Sequence, residues 1–139
     1  MRVHTNWLKS TINAIPQLTN RVYVSLAVNA DKSAVKIPYA VIHPADGSDQ
    51  SDRLAGPAVV AHPRWVVHTV GLTADQAQET AELIKARLIV GGFGVVPVIA
   101  GEHPCAVWYS VPQPMDVDTD ASPPTIFHTA EIGFESTPI

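Results

Sequence analysis

The chain has 139 residues and a formal net charge of −4, with 16% charged and 46% hydrophobic residues. That length suits one domain, residues 1–139, with a real core, and the acidic balance argues against a protein that grips nucleic acid by its phosphates. A lone cysteine, Cys105, excludes an intrachain disulfide, and no apolar run suggests a signal peptide or reaches the roughly 18 residues of a membrane span.

With so few charges much of the surface is neutral, and neutral surface on a small protein often becomes subunit contact. In chain order, Leu8, Ile12 and Ile15 fall at helical spacing and predict a helix over 5–15. Thr5 or Asn6 is its candidate cap, and Pro16 ends it. Residues 21–28 alternate, with Val22, Val24, Leu26 and Val28 facing one way, and predict a strand. A second strand is expected over 37–43. The polar stretch 44–63 reads as a long loop or a two-stranded projection.

The clearest signal follows. Residues 64–70 (Arg64-Trp65-Val66-Val67-His68-Thr69-Val70) read as a strand. At Thr73 the apolar period changes from two to about 3.6, predicting a helix over 73–90. Thr73 and Gln76 have the spacing of a capping box. Ala74, Ala77, Ala81, Ile84 and Leu88 mark its buried stripe, and Gly91 or Gly92 its C-terminal stop. Glu79, Glu82, Lys85 and Arg87 fall to solvent or an interface, with Glu82 and Lys85 spaced as a weak pair. Short strands are expected over 95–99 and 105–111, where Cys105 reads as a small buried residue. Residues 112–124 read as an acidic, proline-rich loop, and 125–134 as a closing strand. The sum is an α+β fold: a single mixed or antiparallel sheet of five or six strands packed by two helices.

Chemical motifs are few. Asp116-Val117-Asp118-Thr119-Asp120 copies the opening of a calcium loop, but Ala121 and Phe127 stand where that loop needs glycine and glutamate. Gly91-Gly92-Phe93-Gly94 follows a helix and does not open one, which is the wrong context for cradling phosphate. His43, His62 and His103 precede prolines, His68 and His128 lie in strands, and no pair has zinc spacing. No Gly-x-Ser-x-Gly elbow places a nucleophile. The sequence therefore predicts no catalytic residue, no metal and no cofactor.

The order of pieces carries a resemblance. Ile37-Pro38-Tyr39-Ala40-Val41-Ile42 leads to Asp52-Arg53-Leu54-Ala55-Gly56, then to Trp65–Gly71 and Thr73-Ala74-Asp75-Gln76-Ala77. Asp116-Val117-Asp118 then precedes Pro123-Pro124-Thr125-Ile126-Phe127-His128. This arrangement, from Ile37 onward, resembles the tail terminator proteins of siphophages, especially those infecting actinobacteria. The resemblance implies a non-enzymatic virion protein, assembled in the host cytoplasm, that forms a homo-hexameric ring. The ring would cap the head-proximal end of the tail tube, end its polymerisation and join tail to head. Implied partners are further copies, the major tail tube protein and the head–tail connector, with genomic DNA passing through unbound and no membrane involved. The acidic balance suits such a conduit. The two polar loops are the expected assembly surfaces, through Asp46, Asp49, Asp52 and Arg53 in one and Asp116, Asp118 and Asp120 in the other. Other readings are another neck or head-completion protein, or a small α+β enzyme or ligand-binding domain.

Overall fold

A computed structural model describes residues 2–27, 29, 35–45, 50–51, 59–121 and 123–139. The chain opens with helix α1 (Arg2–Asn13), which buries His4, Thr5, Leu8 and Ile12 along one stripe. It begins three residues before the expected start, and Thr5 is not its cap. Thr5 lies inside, where its hydroxyl accepts the indole N–H of the fully buried Trp65 at 2.9 Å. A buried indole requires an acceptor, and α1 supplies it. Helix α1 ends at Asn13, two residues short of the expected 15, and Pro16 opens a single 3₁₀ turn, Pro16–Leu18.

The remaining elements are β1 (Val22–Val24), β2 (Tyr39–Ala45), β3 (Gln50–Ser51), β4 (Val59–Val60), β5 (Arg64–Gly71), α2 (Ala74–Leu88), β6 (Ile89–Val90), β7 (Phe93–Gly94), β8 (Glu102–Pro104), β9 (Trp108–Ser110), β10 (Asp116–Asp118), β11 (Thr125–Gly133) and β12 (Ser136–Pro138). Six strands form the main sheet, in the order β1-β2-β5-β11-β10, with β9 also paired to β11. Among the described residues only the β1–β2 pair is parallel. The fold is α+β, two helices on a mixed sheet, as the periodicity predicts.

Both helices lie on one face. Ala40, Ile42, Trp65, Val67 and Ile132 meet Leu8, Ile12, Ile84 and Leu88 there in one core. Each large side chain fully withdrawn from water contributes roughly 1.5–3 kcal/mol. Thr73 caps α2 by accepting the Gln76 N–H at 3.1 Å. Gln76 returns its side-chain oxygen to the Leu72 N–H at 2.8 Å, one residue before the cap. Ala77, Ala81, Ile84 and Leu88 are buried as expected. Ala74 is exposed, and Thr80 joins the stripe by turning its hydroxyl to the Gln76 carbonyl at 2.8 Å.

Several expected boundaries are corrected. Among the described residues the expected 21–28 strand is Val22–Val24, and Val28 lies outside them. Val22 and Tyr23 are both buried, and Leu26 is 70% exposed. Val22 packs under the helices, while the Tyr23 ring meets Tyr39 at 6.0 Å on the other face. Ser25, at φ 63°, turns the chain out of the strand. Helix α2 stops at Leu88, and Gly91 and Gly92, at φ 62° and 84°, are not its cap. They are the two central residues of the β6–β7 hairpin, whose tight turn needs positive φ at both positions. The 95–99 segment forms no regular strand, and the 105–111 strand is only Trp108–Ser110. Cys105 is exposed and outside any strand. The expected loop 112–124 contains β10, which pairs Val117 with Ile126. Within 44–63, β3 and β4 pair as a small two-stranded projection, and Ala61 bridges to Ser136.

Candidate assembly interface

The register gives the sheet two ends. At one end Gly71 of β5, Ile126 of β11 and Val117 of β10 stand side by side. At the other end Arg64, Gly133 and Trp108 do so. Helix α2 runs from the first end to the second. Its 15 residues rise about 22 Å.

The first end carries the acidic residues singled out from the sequence. Asp116, Asp118 and Asp120 are all exposed, and β10 is the last strand on its path through the sheet. Two of the carboxylates engage nearby backbone. Asp116 accepts the Val117 N–H at 2.8 Å and Asp118 accepts the Asp120 N–H at 3.0 Å, which holds the run as an ordered edge. Val117, 50% exposed, lies between Asp116 and Asp118, and Leu72, 49% exposed, follows Gly71 at the same end of the sheet. Asp75 in the first turn of α2 adds a further carboxylate. Asp46, Asp49, Asp52 and Arg53 lie outside the described residues.

The second end carries a surface that sequence reading missed. From Leu88 to Gly101 there is no charged residue. The hairpin and the segment after it present Val90, Phe93, Val96 and Val98 to solvent, Phe93 at 79% and Val98 at 89% exposure. Two hydrogen bonds fix this segment to the body: Val95 N–H to the Leu88 carbonyl and Val107 N–H to the Val95 carbonyl. Gly94 permits the approach, because a Cβ there would collide with the Val107 carbonyl. Lys85 and Arg87 sit in the last turn of α2, just before the hairpin. Lys85 lies over the Tyr109 ring at 5.9 Å rather than toward Glu82, which accepts from Gln78 at 3.4 Å. The signal was present as an uncharged apolar run, but such a run reads equally well as a buried strand.

Two further groupings involve titratable side chains. On the face away from the helices, Tyr39, Val41, His43, His68, Phe127 and Asp118 line an open groove of about 320 Å³. The His68 ring lies 4.9 Å from His43 and 5.0 Å from Phe127. Burial, and then the neighbouring His43, push the His68 pKa down from 6.5, which favours a neutral His68 ring at pH 7. Burial, and then Asp118 and Tyr23, raise the Tyr39 phenol. The rings in this groove meet edge-on or tilted rather than face to face.

The second grouping joins distant parts of the chain. His4 Nε2 donates to Glu102 at 2.8 Å, and the Ser136 hydroxyl donates to the same carboxylate oxygen at 2.7 Å. Burial pushes the Glu102 pKa up, but the hydrogen bonds from His4 and Ser136 outweigh it and the net shift is downward. Ser136 is buried at 1% exposure, so its hydroxyl serves here as an internal donor to the carboxylate. The grouping fastens α1 to β8 and β12. His4 and Glu102 are 98 positions apart, and no local pattern could announce them. Among the described residues, no group of three or more histidine, cysteine or acidic side chains could hold a metal ion, and no helix is long and apolar enough to cross a membrane.

No family model and no curated protein sequence matches the chain. Among solved structures, the fold is similar to that of a chain in the "Virion of native gene transfer agent (GTA) particle". The TM-score is 0.62 at 14% identity, over 94% of this chain and 92% of that one. At that identity the likeness is one of fold.

Proposed function

We propose that the chain is a structural virion protein that forms a hexameric ring on the head-proximal end of a phage tail tube. There it ends tube polymerisation and offers a joining surface to the head-side connector. The observation that carries this reading is the end-to-end likeness of its fold to a chain of a gene transfer agent virion. The order of sequence motifs resembling tail terminators supports it independently, and the exposed apolar hairpin gives neighbouring subunits a surface to bury. Asp46, Asp49, Asp52, Arg53, Asp116, Asp118 and Asp120 are proposed assembly residues. Their charges would set register and partner choice more than raw affinity.

The test is complementation of a phage whose own copy of this gene is disrupted. The unaltered chain should restore normal tails. Loss of the chain, or alanine at Asp52 and Arg53 in a normally melting protein, should give overlong tails or tails without heads. Tails of normal length that fail to join heads in the null phage would favour a neck or head-completion role over termination. Normal tails and infectivity without the chain would reject both.

A further inference from the structure

The two ends of the sheet are complementary. One is an uncharged apolar hairpin following Lys85 and Arg87 at the close of α2. The other is an exposed edge strand with Val117 among Asp116, Asp118 and Asp120. They face apart along the strands, separated by the length of β5, eight residues or roughly 23 Å at strand rise. Hence they cannot satisfy one another within a single chain.

We propose that copies of this chain associate head to tail, the β6–β7 hairpin of one copy seated against the β10 edge of the next. Charge selects a second copy as the occupant. Two chains of net charge −4 repel over most of their surface, and this pairing sets an uncharged strip with a basic margin against an acidic margin. Phe93 and Val98 lose their exposure to water against Val117 and Leu72, while Arg87 approaches Asp116 and Asp118. The contact joins two different patches, so it is heterologous. It repeats around a ring when the rotation closes and runs into a filament when it does not. Only the closure into a ring rests on the function proposed above; the contact itself can be tested in purified protein.

The experiment uses two variants that each spoil one end. Phe93→Glu places a charge in the hairpin, with Val98→Glu as a second version. Asp116→Lys together with Asp118→Lys reverses the edge. Both sites are exposed, and thermal melts confirm that each variant folds. In sedimentation, wild-type chain should form species that grow with concentration, and each variant alone should remain a monomer. An equimolar mixture of the two variants should give a one-to-one dimer and nothing larger, because one intact pair of ends remains. The inference is overturned if wild type stays monomeric to about 1 mM, where a contact worth roughly 4 kcal/mol would show. It is equally overturned if the edge variant assembles like wild type, or if the mixture does not pair. If the mixture pairs but the phage lacking this gene makes normal, infectious tails, the contact stands and the proposed function falls.

Discussion

Residues 64–88 and residues 89–111 are both rich in apolar side chains, and the fold treats them in opposite ways. In the first stretch Trp65, Val67, Ile84 and Leu88 are buried almost completely. In the second, Val90, Phe93, Val96, Val98 and Trp108 stand at 41% exposure or more, while Ile99 and Val107 turn inward. The difference is length and regularity. An eight-residue strand and a 15-residue helix each present one continuous apolar face, and the two faces close on one another. The second stretch is cut by Gly91-Gly92, Pro97 and Gly101 into pieces too short to bury a shared face. Hydrophobic composition thus makes a core in one region and leaves apolar surface open to water in the other.

Breaking the first region should cost the most. Trp65→Ala removes a side chain with no exposure to solvent and leaves the Thr5 hydroxyl without its indole donor. We expect a loss of about 3–5 kcal/mol in denaturant unfolding, a large share of the roughly 5–15 kcal/mol that holds an ordinary domain folded.

The second effect concerns the clamp that holds α1 to β8 and β12. Glu102 has its folded pKa below the ordinary 4.5. Its contribution is therefore fully present above pH 4.5 and is lost as pH falls through the lower folded value. His68 and His128 are also lowered, from 6.5, by burial. The stability tied to their neutral forms is complete above pH 6.5 and declines as pH falls below it. Melting temperature against pH should show two separate declines, and Glu102→Gln should flatten only the lower one. At pH 7, Glu102→Ala leaves His4 and Ser136 without their shared acceptor and should cost about 1–3 kcal/mol. A single decline, unmoved by Glu102→Gln, would show that the clamp contributes nothing.

Thr73→Ala removes the oxygen that accepts the Gln76 N–H at the start of α2, and should lower stability by about 1 kcal/mol. The smallest expected effect sharpens the comparison most. Phe93→Ala in the exposed hairpin should change monomer stability by less than about 0.5 kcal/mol, although it removes a larger apolar side chain than Val67→Ala would. A loss of several kcal/mol from Phe93→Ala in a monomer would mean that the hairpin belongs to the core after all.

The sequence by itself determined the β5–α2 unit, the cap at Thr73 and the α+β class. In each case the information is local: a period of two or 3.6 held for several turns, or a hydroxyl three residues before an amide. It also marked Asp116, Asp118 and Asp120 as an exposed acidic run, because three carboxylates in five residues cannot share a core. It did not distinguish the 112–124 loop from a sheet edge, since β10 is three residues long and its pairing with β11 is a tertiary fact. It misread Gly91 and Gly92, because a glycine after a helix serves a cap and a hairpin equally well. It placed Cys105 inside, where the three-dimensional fold exposes it. The His4–Glu102–Ser136 clamp and the position of the hairpin at the end of the sheet opposite β10 were decided only by tertiary structure. Both depend on contacts between segments far apart in the chain, whose meeting is set by how the core closes.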